Sequence, residues 1–256
     1  MQGEIRISRE QAVLCLRVHR PGRRNALTNE LYGALADAIL GAQDDPAVRV
    51  LLITGGEDCF TAGNDLGEFA AGPPADTDAP VFRFLSALVA CEKPLVAAVC
   101  GVAVGIGTTL LCHCDLVYAA QDARFQLPFV SLGLCPEAAS SLLLPRLAGH
   151  ARASEWLLLG EPFGAEAAQA AGLVNEVLPA GEVLPRALAR AQQLARQPPA
   201  AVRLTRQLLK AADRAAVERT LGIEAQAFLG RLASPEAAEA FAAFAEKRAP
   251  DFSRFD

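Results

Sequence analysis

The sequence has 256 residues, of which 52% are apolar, and its formal net charge at pH 7 is −5. A chain of this length and composition can bury one sizeable core, or one domain with a small helical extension. The negative charge argues against a nucleic-acid-binding protein, because such proteins carry clustered positive charge. The seven cysteines are odd in number and lie mostly in apolar runs, which predicts reduced, buried thiols.

Two features that could suggest a metal or a membrane have simpler explanations. Cys112, His113 and Cys114 would diverge on a helix, and no second cluster completes a four-ligand site. The uncharged stretch 94–114 is long enough to span a bilayer, but its glycines, histidine and proline favour a buried strand, a turn and a helix start. The ends of the chain show neither a secretory signal nor a peroxisomal address. We therefore expect a cytoplasmic protein with no metal site and no membrane association.

Apolar runs and turn residues predict strands that alternate with helices, followed by an all-helical end. Thr28 is a predicted N-cap, because its hydroxyl can accept a hydrogen bond from the first helical turn. The predicted strands cover 4–8, 12–18, 48–54, 95–99, 116–119 and 173–178. The first two are predicted to form a hairpin that turns at Arg9-Glu10. The predicted helices cover 28–42, 81–91, 139–147, 151–159, 165–171 and most of 183–247, with breaks at Pro198-Pro199 and Ser234-Pro235. This order predicts an α/β core at 1–198 and a helical region at 199–256.

Two turns carry the most specific signal in the sequence. Residues 59–66 read Cys-Phe-Thr-Ala-Gly-Asn-Asp-Leu, and residues 101–107 read Gly-Val-Ala-Val-Gly-Ile-Gly. Each turn follows an apolar strand and opens into a predicted helix. Placed side by side, the turns would direct two backbone N–H groups at one point, which is the arrangement of an oxyanion hole.

The residues of both turns resemble the crotonase superfamily of acyl-CoA enzymes. The resemblance runs over nearly the whole chain and includes 19–21 (His-Arg-Pro), 25–27 (Asn-Ala-Leu), 170–174 (Ala-Ala-Gly-Leu-Val) and 244–248 (Phe-Ala-Glu-Lys-Arg). It implies a spiral of β-β-α units with a C-terminal helical region that packs on a neighbouring core, in a homotrimer or a hexamer of two trimers. It also implies an acyl-CoA substrate and no cofactor beyond the CoA moiety of that substrate.

By position, the resemblance assigns the two oxyanion N–H groups to Asn64 and Ile106. Hydratases of this superfamily use two glutamates, but this chain has Thr109 and Phe129 at the corresponding positions. Neither side chain can act as a general base near neutral pH, which argues against hydration.

One carboxylate, Glu137, follows eight residues after Phe129. Its setting, Pro-Glu-Ala-Ala-Ser, resembles the catalytic position of the Δ3,Δ2-enoyl-CoA isomerases of the superfamily. A single acid/base is sufficient for such an isomerase, which moves a proton from C2 to C4 of a 3-enoyl thioester. Burial beside Phe129, Leu134 and Cys135 would raise the pKa of this carboxyl. A structural alternative is an acid in a first helical turn, stabilised by the helix dipole.

The resemblance also implies a CoA site, in which backbone groups of the first turn hold the adenine and the pantetheine arm. The predicted substrate-binding residues are Arg23, Arg24, Ala26, Ala62, Gly63, Asp65, Leu66, Gly105, Phe129 and Lys247. Arg23, Arg24 and Lys247 are candidates for binding the CoA phosphates. Other cations are needed for this role, because Gly67 stands where the family often has a lysine. Asp65 is predicted to cap a helix rather than to act as a base. We expect the loop 71–80, dense in glycine and proline, to flank the acyl pocket and to be flexible.

The leading hypothesis is a 3,2-enoyl-CoA isomerase that acts in the β-oxidation of unsaturated fatty acids. One alternative is another crotonase reaction on acyl-CoA, such as hydration or thioester hydrolysis. A second alternative is a catalytically silent acyl-CoA-binding protein. Glu137 argues against this last alternative, because a protein that only binds acyl-CoA would not need it.

Overall fold

The computed structural model describes residues 3–71 and 76–255, without the side chains of 69–71. Its strands are, in chain order, β1 (Glu4–Glu10), β2 (Val13–His19), β3 (Val50–Thr54), β4 (Cys59–Thr61), β5 (Leu95–Val99), β6 (Val102–Val104), β7 (Leu116–Ala120), β8 (Arg124–Gln126), β9 (Phe163–Gly164) and β10 (Glu176–Leu178). Its helices are α1 (Asn29–Asp44), α2 (Leu66–Ala71), α3 (Pro80–Ala90), α4 (Ile106–Thr109), α5 (Ser140–Ala148), α6 (His150–Ser154), α7 (Ala165–Ala170), α8 (Ala180–Ala195), α9 (Pro199–Ala211), α10 (Arg214–Leu232) and α11 (Pro235–Glu246).

The strands form two sheets that are linked by a repeating chain path. The larger sheet has the order β1-β2-β3-β5-β7-β10, and the smaller has the order β4-β6-β8-β9. The pairs β1–β2 and β8–β9 are antiparallel, and the other pairs are parallel. Three successive β-β-α units each give their first strand to the larger sheet and their second to the smaller. The predicted α/β fold, a spiral of β-β-α units with a C-terminal helical region, is confirmed.

The larger sheet carries the centre of the core. β3 and β5 are buried along their whole length, as expected for parallel strands with both faces covered. Helix α8 packs across β3, β5 and β7. The uncharged stretch 94–114 forms β5, β6, the short helix α4 and the turn after it, so its interpretation as a buried strand, a turn and a helix start is confirmed. No helix in the described residues is long and apolar enough to cross a membrane.

Several predicted elements are confirmed with shifted bounds. The hydroxyl of Thr28 accepts a hydrogen bond from Leu31 N at 3.3 Å and caps α1 as predicted. The predicted hairpin turn at Arg9-Glu10 is wrong: both residues pair in the β1–β2 ladder, and the chain turns at Gln11, whose φ is 57°. The strands of the smaller sheet were not predicted, because two- or three-residue strands are too short to show an alternating pattern.

The cysteines are free thiols, as predicted. Cys59 and Cys91 are buried, whereas the other five are half-buried, so the prediction of burial holds for two of the seven. The difference arises because several of these residues lie at strand ends and turns rather than in the middle of the apolar runs.

The C-terminal helices fold back on the core of the same chain. Helix α10 packs on α3 and α5, and helix α11 packs on α2 and on the turn Val130–Leu132. The predicted breaks are confirmed: Pro198 separates α8 from α9, and Ser234 caps α11 by accepting a hydrogen bond from Ala237 N at 3.2 Å. The assignment of 199–256 as a trimerisation region stays a prediction.

The register of the smaller sheet brings three turns to one edge. Thr61 of β4 pairs with Ala103 of β6, and Ala103 pairs with Phe125 of β8. Because these three strands are parallel, the chain leaves all of them at the same end of the sheet. Both glycine-containing turns and the loop that leads to Glu137 therefore begin side by side.

Candidate functional site

The first turn is held against the loop that precedes α1. Leu27 N donates to Gly63 O at 2.8 Å, and Leu27 O accepts from Asp65 N at 2.9 Å. Asn64 lies between these two bonds, so its own N–H faces away from Leu27. Gly63 has a φ of 84°, and a Cβ at this position would lie 2.7 Å from Val104 O. The turn therefore requires glycine, and it packs directly on the backbone of the second turn.

The second turn continues β6 at the matching position. Asn64 and Ile106 each lie three residues beyond the pair Thr61–Ala103. Ile106 is the first residue of α4, so its N–H has no acceptor within that helix. Gly105, which precedes it, has a φ of 56°. Two adjacent turns with N–H groups in equivalent positions could together receive one developing oxyanion.

Glu137 lies in the loop between β8 and α5 and is only 5% exposed. Its Oε1 accepts a hydrogen bond from the hydroxyl of Thr109. Its Oε2 is buried and has no hydrogen-bond partner among the described residues. Burial raises the pKa of Glu137 to about 8, against the opposing effect of the Thr109 hydroxyl and with a further rise from the negative charge of Glu224. The expectation that burial raises this pKa is confirmed, and the carboxyl can exchange a proton near neutral pH.

Two side chains connect Glu137 to the turns. Thr109 lies three residues after Ile106 on α4, so the two share a helix face and are about 5 Å apart along the axis. The hydroxyl of Tyr32 donates to Asn64 Oδ1. Burial, and then the negative charge of Glu137, raises the pKa of Tyr32. The carboxyl and both turns thus belong to one cluster.

The backbone after Glu137 has an unusual conformation. Ala138 and Ala139 both adopt left-handed φ values, of 59° and 55°. Such a conformation costs about 1–3 kcal/mol for a residue with a side chain, and it persists only where the surroundings hold it. Ala138 O accepts a hydrogen bond from His113 Nε2 at 2.7 Å, and Ala139 N donates to Glu224 Oε2 at 2.6 Å. Burial lowers the pKa of His113 to about 4, so this donor is neutral.

A cavity of about 1000 Å³ opens beside the first turn, a volume suited to a large ligand. The predicted substrate-binding residues that line it are Arg23, Arg24, Ala26, Ala62, Gly63, Asp65, Leu66, Gly105 and Phe129, together with Asn64. The C-terminal helices contribute Phe228, Phe241 and Phe244. The cavity therefore combines two arginines that suit phosphates with an aromatic wall that suits an aliphatic chain.

Three predicted site residues are not part of the cavity wall. Ile106 and Glu137 are both buried, and Glu137 accepts a hydrogen bond from Thr109. Lys247 is exposed and follows two residues after the lining residue Ala245. The predicted flanking loop 71–80 includes residues 72–75, which lie outside the described residues.

Asp65 is held as an ionised helix cap. Its Oδ1 accepts from Gly67 N at 2.9 Å, and its Oδ2 pairs with Arg20 NH1 at 2.6 Å. Burial opposes ionisation, but the hydrogen bonds from Arg20 and from the amides of Glu68 and Gly67 outweigh it and lower the pKa of Asp65. This arrangement matches the predicted cap and makes Asp65 a weak base.

Four residues of the cluster were missed by the sequence analysis: Tyr32, Thr109 as a hydrogen-bond donor, His113 and Glu224. The position of Thr109 three residues after Ile106 could have indicated its contact with the site. Glu224 lies 87 residues after Glu137 in a helical region, and no local pattern marks it.

We expect Thr109→Val to raise the Glu137 pKa above about 8, because it removes the hydroxyl that favours the carboxylate. Infrared titration, with Glu137→Gln to assign the carboxyl band, measures this pKa. The matched control is Thr108→Val: Thr108 is equally buried, and its hydroxyl donates to Ala103 O at 2.6 Å rather than to Glu137. An unchanged pKa in Thr109→Val, or an equal rise in both variants, would contradict this assignment.

Known proteins are similar to this chain in sequence and in fold. The enoyl-CoA hydratase/isomerase family model matches residues 8–254. The chain is 39% identical to 2,3-dehydroadipyl-CoA hydratase of Escherichia coli (strain K12), an alignment that covers 97% of this chain and 98% of that protein. It is 32% identical to human enoyl-CoA delta isomerase 2, over 94% of this chain and 63% of that protein.

Among solved structures, that of Pseudomonas aeruginosa OdaA matches with a TM-score of 0.92 and 50% sequence identity, and covers 94% of this chain and 98% of that chain. The relatives include both hydratases and isomerases, and the family match spans nearly the whole chain. The chain therefore belongs to the enoyl-CoA hydratase/isomerase family, within the crotonase superfamily.

Proposed function

We propose that this enzyme isomerises 3-enoyl-CoA to 2-enoyl-CoA in the β-oxidation of unsaturated fatty acids. The observation that carries the proposal is one buried carboxyl, Glu137, whose pKa is raised to about 8 and which lies next to the two turns. By the family resemblance, Thr109 and Phe129 stand where hydratases have their glutamates, so this chain would lack the acid pair needed to activate and deliver water. A single acid/base suits the transfer of one proton within the substrate.

The proposed reaction begins when the Glu137 carboxylate takes a proton from C2 of the 3-enoyl thioester. The electron pair of the broken C–H bond moves toward the thioester, so negative charge develops on its carbonyl oxygen. The N–H groups of Asn64 and Ile106 stabilise this dienolate oxygen. The protonated Glu137 then returns the proton to C4, and the double bond moves from C3–C4 to C2–C3. The carboxylate is regenerated, so no external oxidant, reductant or cofactor is consumed.

The environment of Glu137 suits both proton transfers. Burial disfavours the carboxylate and therefore makes it a stronger base once it is formed. The Thr109 hydroxyl fixes Oε1, which leaves Oε2 as the oxygen that would carry the substrate proton. Because the ionised form is the active base, turnover should rise with pH through a pKa near 8.

The cavity supports an acyl-CoA ligand with an aliphatic acyl group. Arg23 and Arg24 would bind the CoA phosphates, and Lys247 would approach them from the end of α11. The acyl chain would pack on Phe129 and Phe228. Among the described residues, no group of His, Cys, Asp or Glu side chains could hold a metal ion. The free thiols support a reducing compartment such as the cytoplasm.

A second candidate function is hydration of a 2-enoyl-CoA. The observation that favours it is the 39% identity to the E. coli hydratase over nearly the whole of both chains. In that case Glu137 would have to activate water without a second carboxylate.

Purified enzyme with a 3-enoyl-CoA and with crotonyl-CoA separates the two functions. We expect conversion of 3-hexenoyl-CoA, followed as a rise in conjugated-enoyl absorbance, to be much faster than loss of that absorbance from crotonyl-CoA. The physical reason is that isomerisation needs one acid/base and hydration needs two. Efficient hydration without any shift of the 3-enoyl double bond would overturn the proposal.

We expect Glu137→Gln to lower kcat for 3-hexenoyl-CoA by about 10²–10⁴-fold, because an amide cannot accept the C2 proton. Acyl-CoA affinity, measured by calorimetry, should stay close to wild type, because glutamine has nearly the same size and the proposed CoA contacts are made by other residues. The control is Glu166→Gln, an exposed glutamate in the first turn of α7. A Glu137→Gln variant with more than half the wild-type rate would exclude Glu137 as the base.

We also propose a trimer-based assembly. In it, the outer face of the C-terminal helical region 199–256, called the tail here, contacts a neighbouring subunit. The tail's inner face packs on its own core, whereas Leu204, Leu208 and Leu209 of α9 and Ile223 of α10 are exposed. A cluster of exposed apolar side chains is typical of an interface between proteins. We expect sedimentation at micromolar concentration to show a trimer or a hexamer. The double variant with Leu204→Glu and Leu208→Glu should shift the assembly toward smaller species. A monomeric wild type would contradict the proposal.

A further inference from the structure

A second buried carboxylate holds the loop that carries Glu137. Glu224 belongs to α10 and is 5% exposed. Its Oε2 accepts from Ala139 N at 2.6 Å, and its Oε1 accepts from Ser141 N at 2.9 Å. Helix α5 begins at Ser140 and has no side-chain cap of its own. The C-terminal region therefore supplies the cap for this helix start.

The same contact stabilises the left-handed backbone that follows Glu137. Ala139 N lies between two residues with positive φ, and its bond to Glu224 helps to keep the pair in this conformation. His113 Nε2 donates a hydrogen bond to Ala138 O in the same turn. The loop closes on itself through Ser140 Oγ, which donates to Glu137 O at 2.6 Å. Any relaxation of the two alanines would rotate the peptide units next to Glu137 and displace its carboxyl.

Glu224 is also a titratable neighbour of Glu137. Burial raises the pKa of Glu224 itself, against the lowering effect of its hydrogen bonds from Ser141 and Ala139. The titratable side chains that interact with Glu137 are Tyr32 of α1, Cys112 before β7, Cys135 of the same loop and Glu224 of α10. Burial raises the pKa of Tyr32, of Cys112 and of Cys135, so all three are neutral near pH 7. His113 is neutral as well. Among the nearby cations, Arg231 donates to Gly133 O at 2.8 Å and to Glu236, and Lys210 donates to His113 O at 2.9 Å. Arg206 and Lys210 lower the pKa of His113 further.

We infer that Glu224 is a positioning residue for Glu137: its carboxylate holds the Ala138–Ala139 turn and thereby fixes where the Glu137 carboxyl lies. The catalytic consequence rests on the proposed function, whereas the contacts themselves do not. Helix α10 also contributes Phe228, one turn after Glu224, to the cavity wall. One helix of the C-terminal region thus contacts both the cavity and the loop of the base, so a shift of α10 changes both together.

The test compares Glu224→Gln and Glu224→Asp with wild type. The glutamine variant removes the charge and one of the two acceptors. We expect a loss of kcat of about 10- to 100-fold with little change in KM, because a displacement of about 1 Å can cost 10²-fold in rate. The Glu137 pKa should fall, since the negative charge that raises it is gone, and the rising limb of the pH–rate profile should move to lower pH.

Glu224→Asp keeps the charge but is one methylene shorter, so it cannot reach both amides. We expect its kcat to fall, while the rising limb of its pH–rate profile stays at nearly the same pH as in wild type. If Glu224→Gln does not fold, the kcat and the pH–rate profile of Glu224→Asp still test the inference. The matched control is Glu239→Gln on α11, which is 6% exposed and accepts hydrogen bonds from Arg248, Arg254 and Asp251 N, away from Glu137. We expect it to lower the melting temperature without changing the Glu137 pKa.

Infrared titration of the Glu137 carboxyl gives a readout that does not depend on activity. An unchanged Glu137 pKa and kcat in Glu224→Gln, or the same changes in Glu239→Gln, would overturn the inference. A wild type without 3-enoyl-CoA isomerase activity would instead reject the proposed function, and the titration would still test whether Glu224 controls Glu137.

Discussion

The pairing of Thr61 with Ala103 between β4 and β6 is the constraint on which the site depends. Because these strands are parallel and in this register, Asn64 and Ile106 leave the sheet at equivalent positions in two successive units of the spiral. Gly63 then allows the two turns to pack backbone on backbone, since a side chain there would collide with Val104 O. The third unit brings the Glu137 loop to the same edge. The site is thus a consequence of repetition in the fold.

Under the proposed function, the burial of one carboxyl would decide which chemistry this arrangement favours. Two N–H groups that face one oxygen stabilise an enolate, and enolates are formed in several reactions of acyl thioesters. The reaction is selected by the acids and bases near the substrate carbons. Thr109 donates a hydrogen bond to Glu137. In the proposed isomerase, this threonine would replace a hydratase acid and would support the single base.

The sequence allowed the fold class, most helices and the lining of the cavity to be predicted, because these depend on local patterns and on motifs such as 59–66. Glu137 was singled out for the same reason, and its catalytic role stays a prediction. The short strands of the smaller sheet, and the contacts of Tyr32 and Glu224, were not found. They depend on residues far apart in the chain, and Glu224 reaches the loop of Glu137 only because α10 folds back on α5. Tertiary packing sets such contacts, and no local pattern encodes them.

The central claim is that one carboxyl moves a proton from C2 to C4 of the same substrate molecule. Isomerisation of 3-hexenoyl-CoA that carries deuterium at C2 tests this claim most directly, with the product analysed by mass spectrometry and NMR. A single buried acid that transfers the proton should leave a measurable fraction of the C2 deuterium at C4, because Glu137 is shielded from water. A product whose C4 hydrogen comes entirely from solvent, or a 3-hydroxyacyl product, would contradict the claim.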